Sequence, residues 1–162
     1  MKNFIAKNAV VIGDVTLGND VTVWFNSVIR GDSNFIKIGD RTNIQDGTII
    51  HVDHDAPTEI AKDVTVGHQC MLHGCKIEQG ALIGMSSIVL NHAVIGENSL
   101  IGAGSLVTQG MVIPPNVLAF GRPAKVIRPL TQAEIAKNKA NITHYCQLGQ
   151  EFQAGKYSEV SQ

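Results

Sequence analysis

The chain has 162 residues, a formal net charge of −1 and only 17% charged residues. That balance, with no basic stripe and no polybasic cluster, argues against nucleic-acid or membrane-surface binding. With 5% aromatics against 16 glycines, the composition suits a stack of repeats better than a core built on large rings.

The N-terminal stretch MKNFIAKNAVVIG lacks the apolar core of a secretory signal, and no run approaches the ~18 apolar residues of a membrane span. Three cysteines form no disulfide framework. These features lead us to expect a soluble cytoplasmic protein.

The first periodic residues are Val11, Leu17, Val23 and Ile29, spaced by six. The step resumes as Ile38, Ile44, Ile50, again as Ile60, Val66, Leu72, and then runs unbroken from Ile77 through Ile83, Val89, Ile95, Ile101 and Val107 to Ile113. A small residue often lies two positions earlier, as at Ser27, Cys70, Ala81, Ser87 and Ser105. Six is an even number, so each aliphatic keeps to one face of a strand. Gly or Asn after it is expected to make a sharp corner through positive φ. Three hexads then close one triangular coil of 18 residues, and coils stack as parallel strands ~4.8 Å apart. Residues 8–124 resemble the hexapeptide-repeat proteins, which implies an all-β solenoid, a left-handed parallel β-helix. The hand comes from the resemblance, since chain sterics alone favour right-handed crossovers.

Two insertions interrupt the step, one around Ser33–Phe35 and one at DHDAPT, and one residue is missing between Leu72 and Ile77. Both insertions read as loops bulging from corners. GRPAKVIRPL (121–130) reads as an exit from the solenoid. Thr131 and Glu134 form a T-x-x-E capping box, followed by Ile135, Ile142, Tyr145, Cys146 and Phe152 at helical spacing. The expected organisation is a β-helix domain over 1–130, a C-terminal helical segment over 131–155, its helix at about 132–153 and lying along a face of the prism, and a frayed polar tail over 156–162.

The register places the polar residues. With faces a, b and c in order, Ile29, Ile50 and Leu72 fall on a, Ile38 and Ile60 on b, Ile44 and Val66 on c. Arg30, His51 and His73 each follow an a-face aliphatic and so stack at one edge, two imidazoles on successive coils. Gln45, Asp46 and His68 collect at another edge. A closed three-fold ring would bring the first edge of one subunit against the second edge of the next. The predicted metal site is His51 and His73 from one chain with His68 from its neighbour. Three imidazoles with one open position is the donor set of catalytic zinc. Arg30 with Asp32 lies near Asp46 across that seam. Cys70 and Cys75 occupy interior positions and read as core. The RGD at 30–32 reads as wall rather than exposed loop.

The strings R-G-D (30–32), N-I-Q-D-G (43–47), I-I-H (49–51) and V-G-H-Q-C-M-L-H-G (66–74) resemble the γ-class carbonic anhydrases. The resemblance implies a homotrimer with His51, His68 and His73 as ligands of zinc, or of iron or cobalt. It implies an Arg30–Asp46 intersubunit pair supported by Asp32, a Gln45 that hydrogen-bonds the water at the metal, and Asn43 lining the pocket. The implied reaction is reversible hydration of CO2 to bicarbonate. Two departures stand out. Ser33 occupies a position where the family archetype has Glu, and VDHDAPTEIAKD replaces a long acidic loop that carries a proton-shuttle Glu. Asp53, His54, Asp55 and Glu59 are the available relays, so the expectation is a complete metal site with weak or absent hydratase activity.

A different class of reading is a CoA-dependent acyltransferase, since hexapeptide repeats occur in these enzymes and GRPAK at 121–125 resembles their G-x-P-A-K segment; His92 or His54 would then be the general base. A third is a non-enzymatic, metal-holding assembly subunit.

Overall fold

A computed structural model describes residues 2–158. The hexads form short parallel strands on three faces, a solenoid of about six turns. Face a stacks the first halves of Val10–Leu17 and Val28–Ile38, then Ile49–His51, Met71–His73, Ile88–Val89 and Leu106–Val107. Face b continues from the second halves of the two long strands through Thr58–Ile60, Lys76–Ile77, Val94–Ile95 and Val112–Ile113. Face c runs from Phe4–Ile5 through Thr22–Val23, Asn43–Ile44, Thr65–Val66, Leu82–Ile83 and Leu100–Ile101 to Val117–Gly121. The faces are those the six-residue register assigns.

The inward aliphatics fill the prism: Ile29, Ile44, Ile50, Leu72, Ile83, Val89, Ile95 and Ile101 are completely buried, each contributing on the order of 1.5–3 kcal/mol. The small residues two positions earlier share that interior, and the hydroxyls among them donate to carbonyls of the next coil, as Ser27 Oγ does to Gln45 O at 2.9 Å and Thr48 Oγ1 to Gly67 O at 3.0 Å. Internal hydrogen bonds of this kind offset the cost of taking the hydroxyls out of water.

The corners differ from the sequence expectation. Positive φ does not fall on the residue after the aliphatic but three positions beyond it, at Asn26, Arg41, Asp63, Gln69, Ser86, His92 and Asn98 among others. The glycine directly after the aliphatic answers to space instead. A Cβ on Gly84 would lie 2.5 Å from the backbone nitrogen of Ala103 on the next coil.

The insertion around Ser33–Phe35 is likewise not a corner loop. The strand Val28–Ile38 runs through it without a break, turning from face a to face b while Val10–Leu17 follows with a register shift between Gly13 and Val15. DHDAPT does form a compact turn, closed by backbone bonds between Asp53 and Ala56 at 3.1 Å. Nor does 121–130 simply leave the solenoid: Ala124–Pro129 folds back antiparallel on Val117–Gly121 and caps the last coil.

The helix spans Gln132–Gln153, with Thr131 and Glu134 forming the reciprocal capping box. It packs on the lower strands of face c. Its buried positions are Asn138, Ile142 and Gly149, whereas Ile135 is only half-buried. Gly149 is there because a Cβ would come within 2.6 Å of Thr22 Cγ2. Asn138 Nδ2 reaches Gly80 O at 2.7 Å, and Phe152 packs edge-on against Trp24. The described part of the expected frayed tail folds back: Tyr157 stacks on Phe152 and donates to Glu151 at 2.8 Å. Residues 159–162 lie outside the described residues. No described helix is long and apolar enough to cross a membrane.

Candidate metal centre

His51 and His73 are direct partners in adjacent parallel strands. Their side chains extend at the edge between faces a and b, with His51 Nδ1 3.1 Å from His73 Nε2. The outer nitrogens are both engaged. His51 Nε2 lies 2.8 Å from Asp32 Oδ1. The His51 bond, followed by Arg30, holds the Asp32 carboxyl down to about 2, so Asp32 is an ionised acceptor and His51 Nε2 carries a proton. His73 Nδ1 lies 2.5 Å from Asn91 Oδ1. Asn91 uses its Nδ2 to donate to Asp53 Oδ2 at 3.3 Å, which turns its oxygen toward the histidine, and His73 Nδ1 carries the proton.

Between neutral imidazoles with their protons directed outward, the two inward nitrogens present lone pairs to each other, an arrangement that suits a cation between them. Two nitrogens at ~2.0–2.1 Å on a tetrahedral zinc stand roughly 3.3 Å apart, close to the spacing here. The donor set therefore fits a divalent metal.

Asn43, Gln45, Asp46 and His68 gather on face c and at its edge with face a. His68 Nδ1 is 2.9 Å from Asp46 Oδ2. Gln45 and Asn43 are buried; Gln45 Nε2 donates to Asn43 Oδ1 at 3.0 Å, and Asn43 Nδ2 to Thr65 Oγ1 at 3.0 Å. Tyr145 of the helix joins Gln45 and His68 in lining a cleft of about 380 Å³, its phenol pushed up by burial and secondarily by the Asp46 charge. Among the described residues of one chain, no group of three or more His, Cys, Asp or Glu converges as a metal site. The fold thus joins His51 to His73 but leaves His68 at a separate edge. Arg30 is paired with Asp32 of its own chain, and Asp46 with His68.

Other candidates have plainer roles. Burial pushes the Cys70 and Cys75 thiols to about 11 and about 12, which disfavours the thiolate needed for metal binding. His92 occupies a corner at φ 61, 3.7 Å from Asp55. Asp53 is held below its ordinary value by the His54 backbone N–H and by Asn91, which suits an anchor better than a proton relay near neutrality. Sequence reasoning missed Asn91 and could not place Tyr145. Asn91 had a readable signal: it follows His73 by 18 residues, one full coil along the same edge.

Known proteins share this organisation. The bacterial transferase hexapeptide family (six repeats) matches residues 74–109. The carbonic anhydrase of Geobacillus kaustophilus is 49% identical over 98% of this chain and 87% of its own length. Gamma carbonic anhydrase 2, mitochondrial, of Arabidopsis thaliana is 40% identical over 91% of this chain and 55% of its own. A solved structure described as a hexapeptide transferase family protein from Anaplasma phagocytophilum superposes with a TM-score of 0.89 at 42% identity, covering 93% of this chain and 89% of that one. The chain belongs to the γ-class carbonic anhydrase-like family of hexapeptide-repeat proteins.

Proposed function

We propose that the protein is a cytoplasmic, homotrimeric carbonic anhydrase-like enzyme that interconverts CO2 and bicarbonate at metal sites shared between protomers. The observation that carries this reading is the 3.1 Å approach of His51 Nδ1 to His73 Nε2, with the outer nitrogens of both rings engaged by Asp32 and Asn91. His68 of a neighbouring protomer completes the donor set, and zinc is the metal we favour, with iron or cobalt as substitutes. When bound, such an ion acidifies water so that hydroxide is available near pH 7. Asp32 and Asn91 hold the two imidazoles in the tautomers that bind, and Gln45 and Asn43 form a fixed polar wall beside His68 that orients water.

The outer surface of the prism supports the assembly. On face a the outward row reads Val10, Val28, Ile49, Met71, Ile88 and Leu106, all apolar, whereas on face b it includes Lys37, Glu59 and Lys76. Face a is flanked by the two edges described above. Three copies packed through it would bury the apolar row and bring the His51/His73 edge of one against the His68 edge of the next. Arg30 and Asp46 would then exchange their own-chain partners for each other. In the shortened 52–57 turn Asp53 is committed to Asn91 and to the His54 N–H, which leaves Asp55 as the carboxylate of that turn for proton export, and turnover is expected to be low.

The test is metal content and mass of the untagged protein, with CO2 hydration measured after zinc loading. One metal per chain, a trimeric mass, and loss of metal in His68→Ala support the reading. A monomer without metal overturns it. The acyltransferase alternative draws on the transferase description of the Anaplasma relative; tight acetyl-CoA binding by metal-free protein would favour it.

A further inference from the structure

We propose that Asn91 is a positioning residue that fixes the tautomer of His73, and that Asp53 clamps Asn91 in the orientation this requires. The inference rests on the metal-site reading but concerns a residue outside the three histidines. Asn91 lies one coil beyond His73, and its Oδ1 is 2.5 Å from His73 Nδ1. An amide could present either its oxygen or its nitrogen there. Only the oxygen leaves Nε2 free to bind a metal; the nitrogen would pair with a lone pair on Nδ1 and send the imidazole proton to Nε2, the atom that faces His51. The Asp53 carboxylate decides between them, because it accepts from Asn91 Nδ2 and so takes the donor end.

Three further features hold this arrangement. Gly74 leaves the room that Asn91 needs, since a Cβ there would lie 2.7 Å from Asn91 Oδ1. The turn bearing Asp53 is pinned by Asn34, whose Nδ2 donates to His54 O at 2.8 Å and to Asp53 O at 3.3 Å. The Asp53–Ala56 backbone bonds close the same turn. Both interruptions of the repeat therefore act together: the strand segment that carries Asn34 shapes the turn that carries Asp53. The two histidines are backed differently, His51 by a carboxylate and His73 by a neutral amide.

Removing such a backing group typically costs 10–100-fold in metal affinity. In the full-length protein, Asn91→Leu should weaken zinc binding by about that factor in chelator competition. In ¹⁵N NMR of the zinc-loaded wild type, His73 should show a protonated Nδ1, and this signature should be lost in the variant. The paired exchange Asp53→Asn with Asn91→Asp keeps an acceptor facing His73 and a donor facing that acceptor. It should return the affinity to within about threefold of wild type, which a merely structural role for Asn91 would not predict. Zinc affinity within twofold of wild type in Asn91→Leu, with the His73 signature unchanged, overturns the proposal. Failure of zinc to shift the His73 resonances of the wild-type protein overturns the metal-site reading instead.

Discussion

The upper prism, from Ile77 to Ile113, keeps a strict six-residue step, whereas the lower coils from Val28 to Gly74 hold both insertions and the one deletion. Arg30, Asp32, Asn43, Gln45, Asp46, His51, His68 and His73 all lie in the irregular part. A strict hexad buries its aliphatic and small residue and commits its corner to left-handed backbone. What remains to aim a side chain is the one or two positions just after the aliphatic, as at His51 and Asn91. An insertion releases the chain from that commitment, as at Asp53, which leaves the wall and turns back to meet Asn91. Regular coils mainly supply stability, with Asn91 as their contribution to the site, and irregular ones carry the histidines, as loops on rigid scaffolds commonly carry function.

The sharpest test of that division is a pair of substitutions. We expect His73→Ala to abolish stoichiometric metal and CO2 hydration, with the urea midpoint of the metal-free protein nearly unchanged. Ile95→Ala, in the completely buried row of the regular region, should cost about 2–5 kcal/mol by urea denaturation. The folded fraction should keep its metal, and its loss there would break the separation.

The helix provides a smaller effect on the same axis. Thr131→Ala should cost about 1 kcal/mol and leave metal content untouched. Its capping partner Glu134 has its carboxyl held down to about 2, first by Arg128 and then by Thr131, against an ordinary 4.5. A folded value below the unfolded one means that this stabilisation is complete above about pH 4.5 and fades as pH falls toward 2. Glu134→Gln should flatten that part of the pH dependence, measured by melting temperature.

The smallest expected change is at His92. It occupies a left-handed corner, a conformation that Asn also tolerates, so His92→Asn should shift stability by less than about 0.5 kcal/mol and leave hydration unaltered. A general base at this position would show instead as lost acetyl transfer.

Local chemistry reached some way in advance of the structure. The Thr131/Glu134 box marked where the helix starts because capping is settled within four residues. The six-residue step assigned His51 and His73 to neighbouring coils because a solenoid converts separation in sequence directly into height. It could not say that Ser33–Phe35 would stay inside a strand, because that depends on the matching register shift in Val10–Leu17.

What the sequence by itself determined is the prism, its three faces and the edge shared by the two histidines, since periodicity is a property of the chain alone. Only the tertiary structure decided which nitrogens face inward, through Asp32 and through Asn91 held by Asp53, and which helix side chain enters the cleft beside His68. Proton placement on an imidazole follows from the acceptor that meets it in space, and Asp32 and Asn91 lie 19 and 18 residues from the histidines they meet.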